Sequence, residues 1–452
     1  MTGYIGQVNL YKGLVQIGAN GTWFGGNTHV DDATINMVNG MIKDHNFNNL
    51  TVNKNLNLFV DADLKNKEMD TISANSYSGE GKINVKGINI TEDATENKTE
   101  ILFTSSTALK DKITTIDSAS FELYKYNVKY NGGNFSFNKT TLNPIITESQ
   151  VATAVGGTIT QGIILNQAFA SIDNQFTKVR LEAKQNNQLY ASTTNQLYRT
   201  SKLEKGLWIR PYMVHDTIRI NGFNVDNTSI GTLAGLDWTV GENSLVSFYI
   251  GTAGSKQKYE DIKVNQTGYV LGTTGMIIKE KYYLGLTANI NFNKAESEND
   301  FVKDKFDMNM YSIGAKAGYN IELGKNWILE PNLTMMYGNI NSQGYTTSQG
   351  ARVDGQKTTN VLIEPQVKAK LALTNGWTPY ALVGYVINSG KKAKLVANNV
   401  GFEDMQISGY TEYGAGVNKS FKDSAWSCYL QATGKAGGRK GVEGNIGVKY
   451  SL

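Results

Sequence analysis

The sequence predicts an all-β chain with one long helix: a parallel β-helix, then the helix, then a twelve-stranded antiparallel transmembrane β-barrel plugged by that helix. Three observations lead there. Residues 444–452 (GNIGVKYSL) place Ile446, Val448, Tyr450 and Leu452 on one parity and Asn445, Gly447, Lys449 and Ser451 on the other. That is the pattern of a strand with one face on lipid and one on a wet lumen. The same separation of charged from apolar residues recurs through residues 204–452. Between 163 and 203 glycine and proline vanish, and apolar residues return at helical rather than alternating spacing.

Composition fits this class. Hydrophobic residues make up 40% and charged residues 19% of the chain, and the mean hydropathy is −0.34. A barrel of alternating strands averages to such a value, so the figure does not exclude a membrane. No apolar run reaches the ~18 residues of a spanning helix. Abundant Gly (47) and Tyr (24) suit tight turns and interfacial aromatics. Charge is scattered around a net of +4 without a basic stripe, so no nucleic-acid partner is expected. The single Cys428 cannot form an internal disulfide. The residues after Met1 (TGYIGQVNLYKG) lack a charged and then apolar leader, so an exported chain is expected to have its signal upstream of this sequence.

Residues 1–162 are rich in Asn, Thr, Gly, Asp and Lys, with short β-prone runs such as LTVNKNLNLFVDADL (50–64), GKINVKGINI (81–90) and ASFELYKYNVKY (119–130). Their loose recurrence reads as rungs of a parallel β-helix, in which neighbouring turns bury one another's faces. In residues 163–203, Ile164, Ala168, Ile172 and Phe176 share a helix face, while Asp173, Lys178, Arg180, Glu182 and Lys184 make the segment too polar for lipid. About 30 residues at 1.5 Å each span roughly 45 Å, longer than the roughly 30 Å hydrocarbon core. Such a helix needs wet surroundings, either solvent or a barrel lumen.

Residues 204–452 supply about twelve strands at about 20 residues per strand and turn. In 282–292, Tyr282, Leu284, Leu286, Ala288, Ile290 and Phe292 oppose Gly285, Thr287, Asn289 and Asn291. In 361–373, Ile363, Val367, Ala369 and Leu371 oppose Glu364, Gln366, Lys368 and Lys370. Short turns (323–326, 374–376, 422–424, 279–281) alternate with longer segments expected to be loops (221–227, 344–356, 396–404). Short turns face the periplasm and long loops the exterior. A helix is about 10–12 Å across, and a twelve-stranded barrel lies between a side-chain-filled and an open one, with room for one helix.

Several segments resemble the C-terminal translocator domain of autotransporters (type V secretion). GLWIRPY (206–212) resembles that family's first barrel strand. ILEPNL (328–333) and IEPQVKAKL (363–371) resemble its Glu-Pro-Gln region, and TPYALVGY (378–385) and GYTEYGAGV (409–417) its later strands. The alternating end resembles its terminal strand, with Leu452 where the family usually has Phe or Trp. The likeness implies a barrel plugged by the helix that links it to an exported β-helical passenger, residence in the bacterial outer membrane, and insertion as a monomer by the β-barrel assembly machinery. Val448, Tyr450 and Leu452 are then the assembly signal. Asn186–Asn187 are candidates for passenger cleavage, because in some autotransporters a lumenal Asn cyclises and cuts the chain.

Arg210, Glu330, Glu364, Lys370 and Glu412 fall on the inferred lumen parity, since a charge on lipid near the midplane costs about 2–4 kcal/mol. They either grip the helix or pair with one another. Pro331 and Pro365, each after a strand Glu, are expected to mark bulges. Asp61, Asp63 and Asp70 do not match a calcium loop and read as solvated β-helix edges. His29, His45 and His215 are far apart, and no G-x-S-x-G, H-E-x-x-H or P-loop appears. No catalytic residue, metal or cofactor is expected; the chain reads as a transport and display device, not an enzyme. The passenger's own role stays open between an adhesin or stalk binding a host or neighbouring surface and a carrier for a catalytic region upstream.

Overall fold

The computed structural model describes residues 5–23, 25–142, 148–170, 203–220, 223–259, 262–279, 281–298, 303–323, 326–373, 376–402, 404–421 and 424–452. They form two compact units, 1–146 with the short segment 346–351, and the remainder from 147 to 452.

In the first unit, parallel rungs stack as expected. Ile5–Gln16, Gly25–Asn36, Asn49–Asp63, Lys82–Glu92 and Ile113–Thr115 pair in that order in one parallel sheet. Asp44–Asn46 pairs in parallel with Thr71–Ser73. Register places apolar residues above one another, Ile35 on Leu58 on Val85 and Leu56 on Ile83 on Ile113, and all six are buried. Outside, the asparagines form a ladder: Asn49 donates to Asn27 at 2.8 Å and Ser76 donates to Asn49 at 2.7 Å. This answers why the region is so rich in Asn: a side chain that both donates and accepts can bond the identical position one rung away.

Two expectations for this unit are corrected. Residues 119–130 are not a rung. Ser118–Phe121, Tyr124–Asn131, Asn134–Leu142 and Lys98–Leu102 form an antiparallel sheet in that order. The signal was the Asn131-Gly132-Gly133-Asn134 run, whose glycines have φ of +57° and +105° and turn a hairpin. Asp61 and Asp70 are not solvated edges but fully buried. Asp61 accepts the backbone N–H groups of Asn39 and Gly40 at 2.8 and 2.7 Å, and Asp70 accepts those of Lys43 and Asp61 at 2.9 and 2.8 Å. They fasten turns that the rungs cannot bond for themselves.

In the second unit twelve long strands close a barrel: β1 (Gly206–Ile220), β2 (Phe223–Thr239), β3 (Ser244–Tyr259), β4 (Ile262–Lys279), β5 (Tyr282–Glu298), β6 (Lys303–Tyr319), β7 (Trp327–Ser342), β8 (Gln356–Leu371), β9 (Trp377–Ser389), β10 (Tyr410–Ser420), β11 (Trp426–Gly437) and β12 (Arg439–Ser451). Each pairs antiparallel with the next, and β1 pairs with β12, Leu207 opposite Tyr450. The strands run to 18 residues, well beyond the ~9–11 that cross a bilayer. That excess overturns the expected loop at 221–227. β2 already begins at Phe223, and Asp216 pairs with Asn227. The long connections are 343–355 and 390–409, which pair with one another through Val353 and Ala397.

The prolines also behave differently from expectation. No register shift occurs at Pro331 or Pro365. The β8–β9 pairing passes from Ile363–Ile387 to Gln366–Gly384 in the same register, omitting Glu364 and Pro365. At Pro211 the β1–β12 pairing likewise passes from Ile209–Val448 to Tyr212–Asn445. A closed sheet is held on both sides of each gap, so it tolerates the missing donor without adding a residue.

The outward parity is apolar, with two aromatic belts. Trp238, Tyr282, Tyr319, Trp327, Trp377, Trp426 and Tyr450 are exposed near the short-turn ends. Phe292, Tyr311, Tyr337 and Tyr385 are exposed eight to ten positions along their strands. At about 3.3 Å per residue and a tilt of about 40°, that spacing is roughly 20–25 Å, the height of an outer-membrane apolar band.

Candidate functional site: the filled lumen

The lumen holds a helix, α1, residues 148–170. It begins earlier than the expected 163. Residues 147–162 (TESQVATAVGGTITQG) are rich in β-branched residues and Gly and lack helical propensity. Inside a barrel whose walls have spent their backbone groups on one another, a helix satisfies its own, and this tertiary demand outweighs propensity. Most of the polar segment on which the helix was predicted, 171–202, lies outside the described residues. The described helix is mainly apolar at its contacts. Val151, Ala154, Val155, Ile159 and Ile163 pack with Ile218, Ile220 and Val225 near the long-loop end and with Met405 and Ile407 of the 390–409 connection. Leu165 and Phe169 pack with Leu245, Met276, Ile278 and Tyr283 toward the short-turn end. α1 therefore runs from the long-loop end toward the short-turn end, where β1 begins.

Its first half contains a π-helical turn, Ala152–Gly157. Such wide turns occur mostly as single insertions in α-helices, often at functional sites. Side chains tie this stretch to its surroundings from both sides: Gln266 Nε2 of the wall donates to the Ala152 carbonyl at 2.9 Å and Gln356 Nε2 to Ser149 Oγ at 2.7 Å, while Gln150 Nε2 of the helix donates to the Ala393 carbonyl of the 390–409 connection at 2.6 Å.

Arg210, Glu330, Glu364, Lys370 and Glu412 are all buried, on the parity opposite the exposed apolar residues. Their contacts differ. Arg210 touches the helix, donating to the Gln167 carbonyl at 2.5 Å with its guanidinium stacked 3.7 Å from the Trp208 ring centroid. Glu330 and Lys370 bond each other at 2.5 Å, and Tyr283 donates to Glu330 at 3.2 Å. Gln366 donates to Glu364 at 2.9 Å. Glu364 and Glu412 line a polar cavity of about 40 Å³ with Lys316, Lys368 and Asn166 of α1. That is space for a water or two. Buried pairs join β11 to β12 (Lys435–Glu443, 2.6 Å) and β12 to β1 (Arg439–Asp216, 2.5 Å), and the half-buried Lys449 joins β12 to Asp237 of β2 (2.5 Å). One set of charges thus bridges strands and another meets the helix.

Aromatic rings inside the wall lie across glycines of neighbouring strands. A Cβ at Gly235 would collide with Trp208, at Gly272 with Tyr249, at Gly318 with Tyr283, and at Gly447 with Tyr429. Each ring covers the ladder where glycine leaves it bare, which pins register. Tyr429 also donates to Gln167 Oε1 of α1 at 3.1 Å.

Asn186 and Asn187 lie outside the described residues. Val448 is half-buried, Tyr450 and Leu452 are exposed, and the Tyr450 ring packs on Trp426 at 5.0 Å. Sequence reasoning missed Asn166, Gln161, Gln266, Gln356 and Tyr429. The last three share the lumen parity of their strands and were legible there, although as neutral side chains they carry no charge to mark them. Gln161 belonged to a region read as β-helix. Among the described residues, no cluster of three His, Cys, Asp or Glu could hold a metal.

A closed twelve-stranded barrel with an apolar exterior, two aromatic belts and a helix of its own chain in the lumen is an outer-membrane β-barrel of the plugged kind. The profile of the autotransporter beta-domain matches residues 207–433, about half of the chain, and the chain belongs to that family. Its structure is similar to the translocator domain of autotransporter NalP from Neisseria meningitidis, with a TM-score of 0.52 and 12% identity over 67% of this chain and 99% of that one. It is also similar to the transport unit of AIDA-I from Escherichia coli, with a TM-score of 0.48 and 15% identity over 60% and 97%. The beta domain of the Bordetella autotransporter BrkA gives 0.45 and 19% over 55% and 100%. Comparison with curated proteins gives no match. The chain is an outer-membrane translocator.

Proposed function

We propose that the barrel anchors and exports the chain's own N-terminal unit to the cell surface, and that α1 is the linker left in the pore afterwards. The carrying observation is the path of α1, whose residues 148–170 run through the lumen from the long-loop end toward the short-turn end. The chain upstream of it must then leave at the long-loop end, the exterior side of such a barrel. The parallel rungs serve as the base of the displayed passenger. Outer-membrane lipid surrounds the barrel, the β-barrel assembly machinery inserts it, with Val448, Tyr450 and Leu452 as the signal, and it works as a monomer. The passenger is expected to be an adhesin or stalk, or to carry a catalytic region upstream. Proteinase added to intact cells producing the full chain should degrade residues 5–142 and spare the barrel. Protection of residues 5–142 would reject export.

Asn166 favours a second reading, passenger release. It lies on α1 beside Glu364 and Glu412 in the polar cavity. Attack of its amide nitrogen on its own carbonyl carbon would form a succinimide and break the peptide bond to Gln167. The amide proton would pass to the leaving amine, with a carboxyl as the shuttle. A barrel fragment beginning at Gln167, absent in Asn166→Ala, is the expected mass-spectrometric result. An intact chain in the outer membrane leaves display without release.

A further inference from the structure

We infer that α1 and the barrel wall are keyed to each other by reciprocal glycine notches, so that the transported chain halts in one register. The inference rests on the plug reading above. Gly157, Gln161 and Leu165 are four residues apart and form one stripe on α1. That stripe runs along β6 and β7. At Gly157 the helix is the notch and the wall is the knob: a Cβ there would meet Ile340 at 3.0 Å and Met310 Sδ at 3.3 Å. At Gln161 the roles reverse. Its side-chain amide fills the space a Cβ at Gly338 would need, with Oε1 at 2.6 Å. Its Nε2 donates to the carbonyls of Asn339 at 3.2 Å and Tyr311 at 3.3 Å, and Asn360 donates to its Oε1 at 3.3 Å. At Leu165 the helix is again the knob, seated over Gly314.

A second wall fixes the rotation. Gln266 of β4 occupies the place of a Cβ at Gly156 while bonding the Ala152 carbonyl. Gln266 is itself held by Ser255, whose Oγ donates to its Oε1 at 3.3 Å.

The change from notch at Gly157 to knob at Gln161 and Leu165 is what makes this a key. A helix turn is about 5.4 Å. Sliding α1 one turn toward the long-loop end would bring Gln161 level with Met310 and Ile340, where even a Cβ is tight and a full glutamine side chain would overlap. Sliding it one turn the other way would bring Thr153 there. Packed interiors resist such overlaps strongly. Once the segment has become helical in the lumen, the register with Gly157 at the Met310–Ile340 pair is therefore the one in which it rests. The same register holds Asn166 at the carboxylate cavity.

Single-channel conductance of the full chain in planar bilayers tests this, with heat-modifiable migration as the check on folding. Gly314→Val should displace Leu165 and raise the open-to-closed ratio about tenfold or more, the size expected for forced overlap in a packed contact. Leu165→Ala added to Gly314→Val should return the ratio close to that of the parent. If Gly314→Val does not fold, Met310→Ala with Ile340→Ala removes the knobs without overlap and should likewise raise the ratio. Deletion of 148–170 is run alongside. If the deletion opens the pore while the point variants stay closed, the keying is wrong and the plug stands. If the deletion leaves the pore closed, the plug reading itself fails.

Discussion

Single residues decide where charge can sit. Asp61 shows this outside the membrane. Burial is the largest influence on its carboxyl and raises it above the usual carboxylate range, with the charge of Asp70 adding to it; hydrogen bonds from Asn39, Asn89 and Gly40 oppose it. A raised folded value means that the folded state binds the proton more tightly than the unfolded one. Stability from this group is therefore present below the ordinary carboxylate value and falls as pH rises through the folded value. Hydrogen exchange at buried rung amides such as those of Leu58 and Val85 in the full chain should speed up as pH rises above the ordinary carboxylate value, after correction for intrinsic exchange. Asp61→Asn should lack this excess. An unchanged slope in that variant would locate the effect elsewhere. In the barrel, Lys370 and Glu330 show the other side of the rule: two charges that lipid would reject are held against each other, so losing either leaves the other's buried charge less compensated.

At the scale of an element, a barrel strand is two faces with opposite rules. β8 carries Glu364, Gln366, Lys368 and Lys370 buried on one face, while Ile363, Val367 and Ala369 lie on the other. Ile363→Lys should cost about 2–4 kcal/mol near the midplane. Glu364→Leu should cost less: it leaves the lysines of the cavity with one carboxylate fewer but puts no charge in lipid. Thr239→Leu, near the end of β2, should be mildest. Heat-modifiable folding of the three variants reads the order, and an Ile363→Lys protein that folds like the parent would reverse the assigned faces. α1 follows different rules. Its position depends on Gly156 and Gly157 and on notches at Gly314 and Gly338, none of which any local pattern announces.

For the whole molecule, the division into two units carries its own expectation. The barrel closes through β1 and β12, and both strands lie within residues 204–452. That fragment should refold in detergent as a heat-modifiable, β-rich species by circular dichroism. A mainly helical or coil spectrum would show that closure needs the rest of the chain.

The sequence by itself determined the class of this protein. Alternation with a period of two is a property of the extended backbone, so Tyr282 to Phe292 or Ile363 to Lys370 announces which face meets lipid before any partner is known. Strand number followed from length, and the parallel rungs from short runs of alternating residues. Tertiary structure decided what lies inside. It drew helix from the β-branched and glycine-rich stretch before residue 163, because a filled lumen leaves no other partner for that backbone. It turned residues 98–102 and 118–142 into an antiparallel sheet and buried Asp61 and Asp70 beneath turns. It also chose which helix residues meet the wall. Gln161 finds Tyr311 across 150 positions and Asn360 across 199. Such meetings depend on shape at glycine notches spread over several strands, and shape of that kind exists only once the barrel has closed.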